Sequence, residues 1–158
     1  MFREMTRKKQ ALTDEKCLEI LRREPRGVLS VLGDDGYPYG MPMNFWYNED
    51  DGHIYFHGGR TGHKIDAMRR CDKVSFCVYD GGWRAEGEWA LNISSVIVFG
   101  RIKPVEDNGR AMEISRRLSL KYTADSDYIE HEIAVSGPGT LCLELIPEYM
   151  TGKLVNES

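Results

Sequence analysis

The stretch YFHGGRTGHKID, residues 55–66, combines three glycines, which leave the backbone uncovered, with three side chains that can donate hydrogen bonds to an anion. These are Arg60, His63 and Lys64, and the three glycines let the backbone approach a ligand closely. A strand pattern ends here and a helix pattern begins, and the free N–H groups at a helix start favour an anion. The order Gly-His-Lys is not that of a Walker A loop. The stretch is therefore either a turn with solvated charges or a cradle for an anion such as phosphate.

The elements that would position this turn follow from periodicity and from turn residues. Helices are predicted at residues 14–24, 64–71 and 107–122. Strands are predicted at residues 27–33, 37–47, 53–58, 73–79, 94–105 and 141–147. Residues 123–139 are polar and are predicted to be a loop with at most one helical turn. Because strands follow strands without regular crossover helices, we expect a mainly β fold, an antiparallel barrel of six strands with peripheral helices.

Composition excludes several classes of function. A chain of 158 residues is predicted to form one domain over residues 1–158. Its net charge of -4 argues against nucleic acid as a partner, and no apolar run suits a membrane span or a signal segment. The four cysteines and four histidines are scattered, so neither a metal site nor a disulfide framework is predicted. We expect a cytoplasmic protein.

Three motifs in order resemble the FMN-binding split-barrel superfamily. They are G-Y-P-Y-x-x-P from residue 36, Y-F-H-G-x-x-x-G-H-K from residue 55 and S-V-I-V-x-G from residue 95. The resemblance covers roughly residues 3–153 and is nearest to the pyridoxamine 5'-phosphate oxidase-like branch that contains the nitroimidazole-resistance proteins. It implies a six-stranded split-barrel homodimer that holds FMN in a groove between the subunits.

The resemblance also implies which residues contact the cofactor. The strand along the flavin ring, which offers backbone groups to its polar edge, matches Gly40, Met41, Pro42, Met43 and Asn44. In the family, the next strand ends beside the flavin ring or ribityl chain. It is followed in the sequence by a pair of basic residues that bind the phosphate and then by a serine whose side chain reaches the cofactor. The matching residues are His57, Gly58, His63, Lys64 and Ser95.

Some of these residues have a second interpretation. Pro42 suits a strand that contacts a ligand, but Pro38 and Pro42 equally suit a protected sheet edge. His57 matches a histidine near the flavin of the nitroimidazole-resistance proteins, which makes it the candidate catalytic residue. With an ordinary pKa of about 6.5 it could donate a proton near neutral pH, or it could only pack among aromatic residues.

Two tryptophans and the C-terminal sequence bear on substrate and partner. Trp83 and Trp89 lie in a predicted loop, where they could stack on a planar cofactor or substrate or pack in a dimer interface. The vitamin B6 oxidases carry an Arg-x-His pair near the C-terminus, whereas this chain has TGKLVNES with Lys153 as its basic residue. That departure argues against oxidation of pyridoxamine phosphate. His63 in the place of an arginine would hold phosphate fully only when protonated.

Two function classes remain open. The first is an FMN-dependent oxidoreductase that reduces small planar acceptors, with nitroaromatic or 5-nitroimidazole compounds as incidental substrates. In such an enzyme the flavin supplies the chemistry and the protein supplies binding and orientation. The second is a non-enzymatic carrier or sensor of flavin. A deazaflavin or haem version of the same barrel is a variant of either class.

Overall fold

The computed structural model describes residues 1–157 as one antiparallel sheet with four α-helices. The helices are α1 Asp14–Arg23, α2 His63–Arg70, α3 Asn108–Leu120 and α4 Ser126–Ser136. The strands are β1 Arg26–Leu32, β2 Pro38–Asn44, β3 Trp46–Asn48, β4 His53–Gly59, β5 Lys73–Tyr79, β6 Leu91–Pro104 and β7 Thr140–Glu157.

The order of strands across the sheet is β2-β1-β5-β6-β7-β4-β3. The sheet curls so that β2, at one end, comes close to β4 near the other end without pairing with it. This is the predicted split-barrel class, with seven strands rather than the predicted six. The extra strand arises because the run predicted at residues 37–47 breaks at Phe45, whose buried ring packs edge-on against Phe76.

Alternate side chains of each strand fill the inside of the curled sheet, as the period of two requires. The core includes Leu29, Phe45, Phe56, Phe76 and Val98, all fully buried. The opposite side of β1, β5 and β6 is called the outer face. Its members include Val28, Ser30, Ser75, Cys77, Tyr79, Ser95, Ile97 and Phe99.

The helices begin at side chains that accept from their free N–H groups. Thr13, Asp107 and Asp125 cap α1, α3 and α4 by accepting from the backbone N–H groups of Lys16, Arg110 and Tyr128. Helix α2 differs, because Gly62 stands at its N-cap with φ of 121° and offers no side chain. No helix within residues 1–157 has the length and apolar character needed to cross a membrane.

Two predicted elements are corrected. The loop predicted at residues 123–139 contains α4, three turns long; only Ile129 of α4 is buried, so the segment carried little helical periodicity. The last strand, predicted at 141–147, continues to Glu157 and pairs with β6 along most of its length. Pro147 sits beside a register irregularity at Phe99/Gly100, so β7 continues past it.

Candidate functional site

Two strand edges with unpaired backbone groups face each other where β2 approaches β4. Strand β2 pairs only with β1, so its second edge is free along residues 40–44. Strand β3 covers β4 only at residues 53–55, which leaves the edge of residues 56–59 toward β2 free. We call the gap between these two edges the split. Because free N–H and C=O groups require a partner, the split is a place where backbone can bind a ligand.

The ammonium of Lys64 lies at one end of the split. A Cβ added to Gly58 would be only 2.8 Å from the Lys64 Nζ, so this glycine makes room for the cation. The Lys64 Nζ donates to the Met43 Sδ at 3.8 Å, and no carboxylate within residues 1–157 forms an ion pair with Lys64. Burial lowers the pKa of Lys64 from its ordinary value of 10.5. A half-buried cation without a counter-charge can bind an anion.

Lys64 also belongs to the first turn of α2, where the backbone adds to the attraction for an anion. Since Gly62 provides no capping side chain, the N–H groups of this turn remain free for a ligand. The positive end of the helix dipole acts in the same direction. Lys64 and the start of α2 therefore form a single anion-binding corner of the split.

His63 does not join Lys64 there. Its ring stacks on Tyr39 with 4.2 Å between ring centroids, and its Nε2 lies 3.7 Å from the Asp34 Oδ2. Tyr39 and Met43, the two β2 residues that His63 and Lys64 contact, are four residues apart, about 13 Å along an extended strand. The basic pair predicted from the sequence is thus divided, and Lys64 alone faces the split.

The structure brings the predicted ring-side strand to the split but leaves Ser95 apart from it. Gly40, Pro42 and Asn44 alternate with Met41 and Met43 along β2, with the two methionines toward the core. Ser95 lies on the outer face, opposite Tyr79 and Lys153. It is three strands from β2, or about 14 Å at the usual strand spacing. Within one chain, Ser95 does not meet Lys64.

The ring of His57 lies on the other face of β4 from Lys64. Its neighbours Phe56 and Gly58 point into the barrel, whereas His57 lines a cleft of about 600 Å³ that includes Ser115 and Cys142. We call this space, between α3, α4 and β7, the α3–α4 cleft. Burial, and then the charge of Lys64, lower the pKa of His57 from 6.5, so the imidazole is neutral at pH 7. It hydrogen-bonds to no group within residues 1–157.

The space beside His57 is open at the end of β4. A Cβ added to Gly59, which points to the same side, would have only the Thr61 carbonyl oxygen within 4 Å, at 3.8 Å. A planar ligand lying across these glycines could therefore contact the Lys64 side and the His57 side of β4 together.

The sequence did not reveal a buried polar cluster below α3. The carboxylate of Glu144 is 2.7 Å from the His53 Nδ1, accepts from Tyr55 at 3.1 Å and accepts from Arg110 at 2.9 Å and 3.3 Å. Burial raises the pKa of Glu144, but these hydrogen bonds outweigh burial and bring it to about 2. An acid alternating with apolar residues in LCLELIP was the available signal.

Asp51 completes this cluster. It accepts from the Tyr55 hydroxyl at 2.6 Å, and burial and this hydrogen bond raise the pKa of Tyr55. Ligand atoms of Asp51, His53 and Glu144 lie within 4.8 Å of one another, a spacing that a metal could use. The guanidinium of Arg110 already donates two hydrogen bonds to the Glu144 carboxylate. The cluster is therefore satisfied by protein groups, and its hydrogen bonds hold α3 against β4 and β7.

Solved structures with the same fold include several proteins that are named for the flavin they bind. A candidate 5-nitroimidazole antibiotic resistance protein from Bacteroides thetaiotaomicron is 21% identical, with a TM-score of 0.78 over 92% of this chain and 87% of that chain. An FAD-binding protein from Mesorhizobium loti is 22% identical, with a TM-score of 0.68 over 92% and 97%. The flavocytochrome Anf3 from Azotobacter vinelandii is 19% identical, with a TM-score of 0.71 over 96% and 72%.

At these identities the likeness concerns the fold alone. No sequence match was found among curated proteins. The profile of the family described as pyridoxamine 5'-phosphate oxidase, however, matches residues 13–154, which include both edges of the split, Lys64 and Ser95. This confirms the resemblance inferred from the three sequence motifs. The chain belongs to the pyridoxamine 5'-phosphate oxidase family.

Proposed function

We propose that this protein binds FMN in the split and acts as an oxidoreductase that reduces small planar acceptors, including nitroaromatic compounds. The observation that carries the proposal is the half-buried ammonium of Lys64, which lies beside Gly58 at the start of α2 and has no counter-charge in the described part of the chain, residues 1–157. A phosphate monoester supplies the missing negative charge and accepts from both the ammonium and the helix N–H groups.

The rest of the split suits the other parts of a flavin. The ring has a polar edge of donors and acceptors, and the free edge of residues 40–44 offers backbone groups of both kinds. Met43 and Gly58 border the same gap with apolar or bare surface. Bound flavin supplies electron transfer to an acceptor, and the chain supplies binding and orientation. The flavin-binding proteins that share this fold support the same proposal.

The first prediction is that the protein binds FMN more tightly than riboflavin. Only FMN carries the phosphate that Lys64 would hold, and a hydrogen bond to a charged group contributes about 1.5 to 3 kcal/mol. Competitive titration of the flavin-free protein measures the difference. Bleaching of the bound flavin by reduced nicotinamide, followed by its reoxidation with a nitroaromatic compound, tests the oxidoreductase class. Equal affinities for the two flavins would contradict the phosphate site.

A carrier or sensor of flavin is the second candidate. The observation in its favour is that the His57 ring and the Lys64 ammonium lie on opposite faces of β4. A flavin confined to the Lys64 side would then have no histidine within reach for proton transfer. Tight FMN binding without bleaching by reduced nicotinamide or turnover of nitroaromatics would identify this class.

We also propose that two copies of the chain pair through the outer face. Tyr79, Ile97 and Phe99 are 60%, 37% and 38% exposed there, although large apolar side chains of a sheet are normally covered by other parts of the protein or by a partner. Ser30 and Ser75 lie opposite each other in the same face, where small side chains permit close packing. Ser95 belongs to this face too, so in such a dimer it would lie at the interface, where the family resemblance implies the flavin.

The second prediction is that Ile97→Glu converts the dimer into monomers and weakens FMN binding. A charge in the centre of the outer face must lose its hydration when the faces meet. Leu120→Glu is the matched control, because Leu120 is 56% exposed on α3, away from the sheet. Sedimentation with and without FMN measures both the oligomeric state and the FMN bound per chain. A monomeric variant that still holds one FMN per chain at wild-type affinity would contradict the link between dimer and flavin.

A further inference from the structure

A second cavity, of about 590 Å³, lies on a different side of α2 from Lys64. We call it the α2–β7 cleft, because α2, the end of β6 and the start of β7 enclose it. Its volume is within the range of small-molecule sites, about 300–1,000 Å³. Lys64, Gly58 and every residue of β2 are absent from its lining, so the cleft lies apart from the split. It adjoins the α3–α4 cleft, with which it shares Arg60, Asn108, Ala111, Thr140 and Cys142.

The floor of the cleft is apolar and fixed in place. Ile65 and Met68 from α2 meet Ile102 from β6 and Leu143 from β7, and all four belong to the buried core. Each side chain is less than one-tenth exposed, which means that packing on several sides holds it. A floor of this kind favours a flat or branched apolar group over a polar one.

The rim of the cleft is cationic. Arg60, Arg69 and Lys103 line it, all three exposed, against one acid, Glu106. This excess of positive charge occurs in a chain with a net charge of -4. Charge complementarity therefore selects an anionic ligand at the rim.

The rim cations are largely free of protein partners. Arg69 forms no ion pair within residues 1–157, and Arg60 uses only its Nε, which donates to the Pro138 carbonyl at 2.8 Å. Lys103 lies 3.6 Å from the Glu144 Oε2, but that carboxylate is already held by Arg110. At least two guanidinium groups thus retain donors that an anion could accept from.

We propose that the α2–β7 cleft binds a small aromatic carboxylate. The ring packs on the floor formed by Ile65, Met68, Ile102 and Leu143, and the carboxylate accepts from the free guanidinium donors of Arg69 and Arg60 at the rim. The cleft is a binding site beyond the proposed flavin chemistry, and its occupation does not depend on flavin.

Calorimetric titration of the protein as purified, with 4-ethylbenzoate and with its neutral isostere 4-ethylbenzamide, tests the proposal. We expect the benzoate to bind about tenfold more tightly, and the double variant Arg60→Gln/Arg69→Gln to lose about tenfold in benzoate affinity only. Arg70→Gln is the matched control on α2, because Arg70 donates to Asp34 at 2.6 Å and does not line the cleft. Equal affinities of benzoate and benzamide, or equal losses in the control and the double variant, would overturn the proposal.

Methyl NMR locates the ligand independently of the variants. The signals of Ile65 and Ile102 should move during the benzoate titration, whereas that of Ile97 on the outer face should not. Movement confined to Ile97, or no saturable shift, would refute the site. Because all of these readouts are independent of flavin, a failure of the flavin proposal would leave the benzoate result unchanged, and the converse also holds.

Discussion

Replacing His57 by glutamine is expected to lower the rate of nitroaromatic reduction by about 10²- to 10⁴-fold while FMN remains bound, as for other acid–base groups. The His57 ring forms no hydrogen bond within residues 1–157, and the open space at Gly59 leaves it accessible from the end of β4. Glutamine preserves the approximate size and a hydrogen-bonding group but cannot release a proton. The measurement compares both proteins at the same FMN occupancy.

The pH dependence gives this prediction a second readout. Burial lowers the pKa of His57 below 6.5, so its acid form is populated only at acid pH. If the imidazolium delivers the proton, the rate must fall as the pH rises through that lowered pKa, and the Gln variant must lose this dependence. His131→Gln is the control, since His131 is exposed on α4. Equal rates and equal pH profiles of wild type and His57→Gln would assign His57 a structural role.

Replacing Arg110 by methionine is expected to reduce the free energy of unfolding by about 2–4 kcal/mol. Removing one partner of a buried ion pair leaves the other charge buried, which usually costs about 3–5 kcal/mol, and the partial exposure of Arg110 reduces that cost. Glu144 would keep His53 and Tyr55 but lose both guanidinium hydrogen bonds. Denaturant unfolding measures the change.

A matched variant separates this cluster from ordinary surface pairs. Arg116 lies on the same helix and pairs with Glu130 at the surface, where solvent screens the charges, so Arg116→Met should cost much less than Arg110→Met. In the wild type, the low pKa of Glu144, about 2 against 4.5, contributes stability above pH 4.5 that is lost as the pH falls toward 2. Equal losses for Arg110→Met and Arg116→Met would show that the cluster is no stronger than a surface pair.

Local chemistry predicted the turn at the split well. Gly62 followed by Lys64 marked a helix start, and Pro38 with Pro42 marked an unpaired edge, because each signal acts within a few residues. Both features occur in the structure, where β2 is the last strand of the sheet. Helix α4 was not predicted. Its buried face consists of Ile129 alone, so its sequence shows almost no hydrophobic periodicity.

What the sequence could not provide were contacts between distant segments. His63 turns away from Lys64 because Tyr39 and Asp34, more than twenty residues earlier, offer it a stacking partner and a carboxylate. The Glu144 cluster likewise depends on the register of β4 with β7, which places Glu144 opposite Tyr55. Ser95 matched the family motif in sequence, but only the sheet order shows how far it lies from β2.

The corner formed by Lys64, Gly58 and the start of α2 is central to this account. If a phosphate binds there, the charge of Lys64 must act on the phosphate and not on the flavin ring. The effect of Lys64 should then appear with FMN and be absent with riboflavin, whose ring and ribityl chain are the same. A thermodynamic cycle over the two flavins and two proteins isolates that interaction.

The measurement is the dissociation constant of FMN and of riboflavin for the wild type, Lys64→Ala and the control Lys16→Ala, an exposed lysine on α1. We predict that Lys64→Ala weakens FMN binding by about 1.5 to 3 kcal/mol, roughly 10- to 150-fold, and leaves riboflavin binding unchanged. Lys16→Ala should alter neither constant. An unchanged FMN constant in Lys64→Ala, or an equal loss for riboflavin, would contradict the phosphate site in the split.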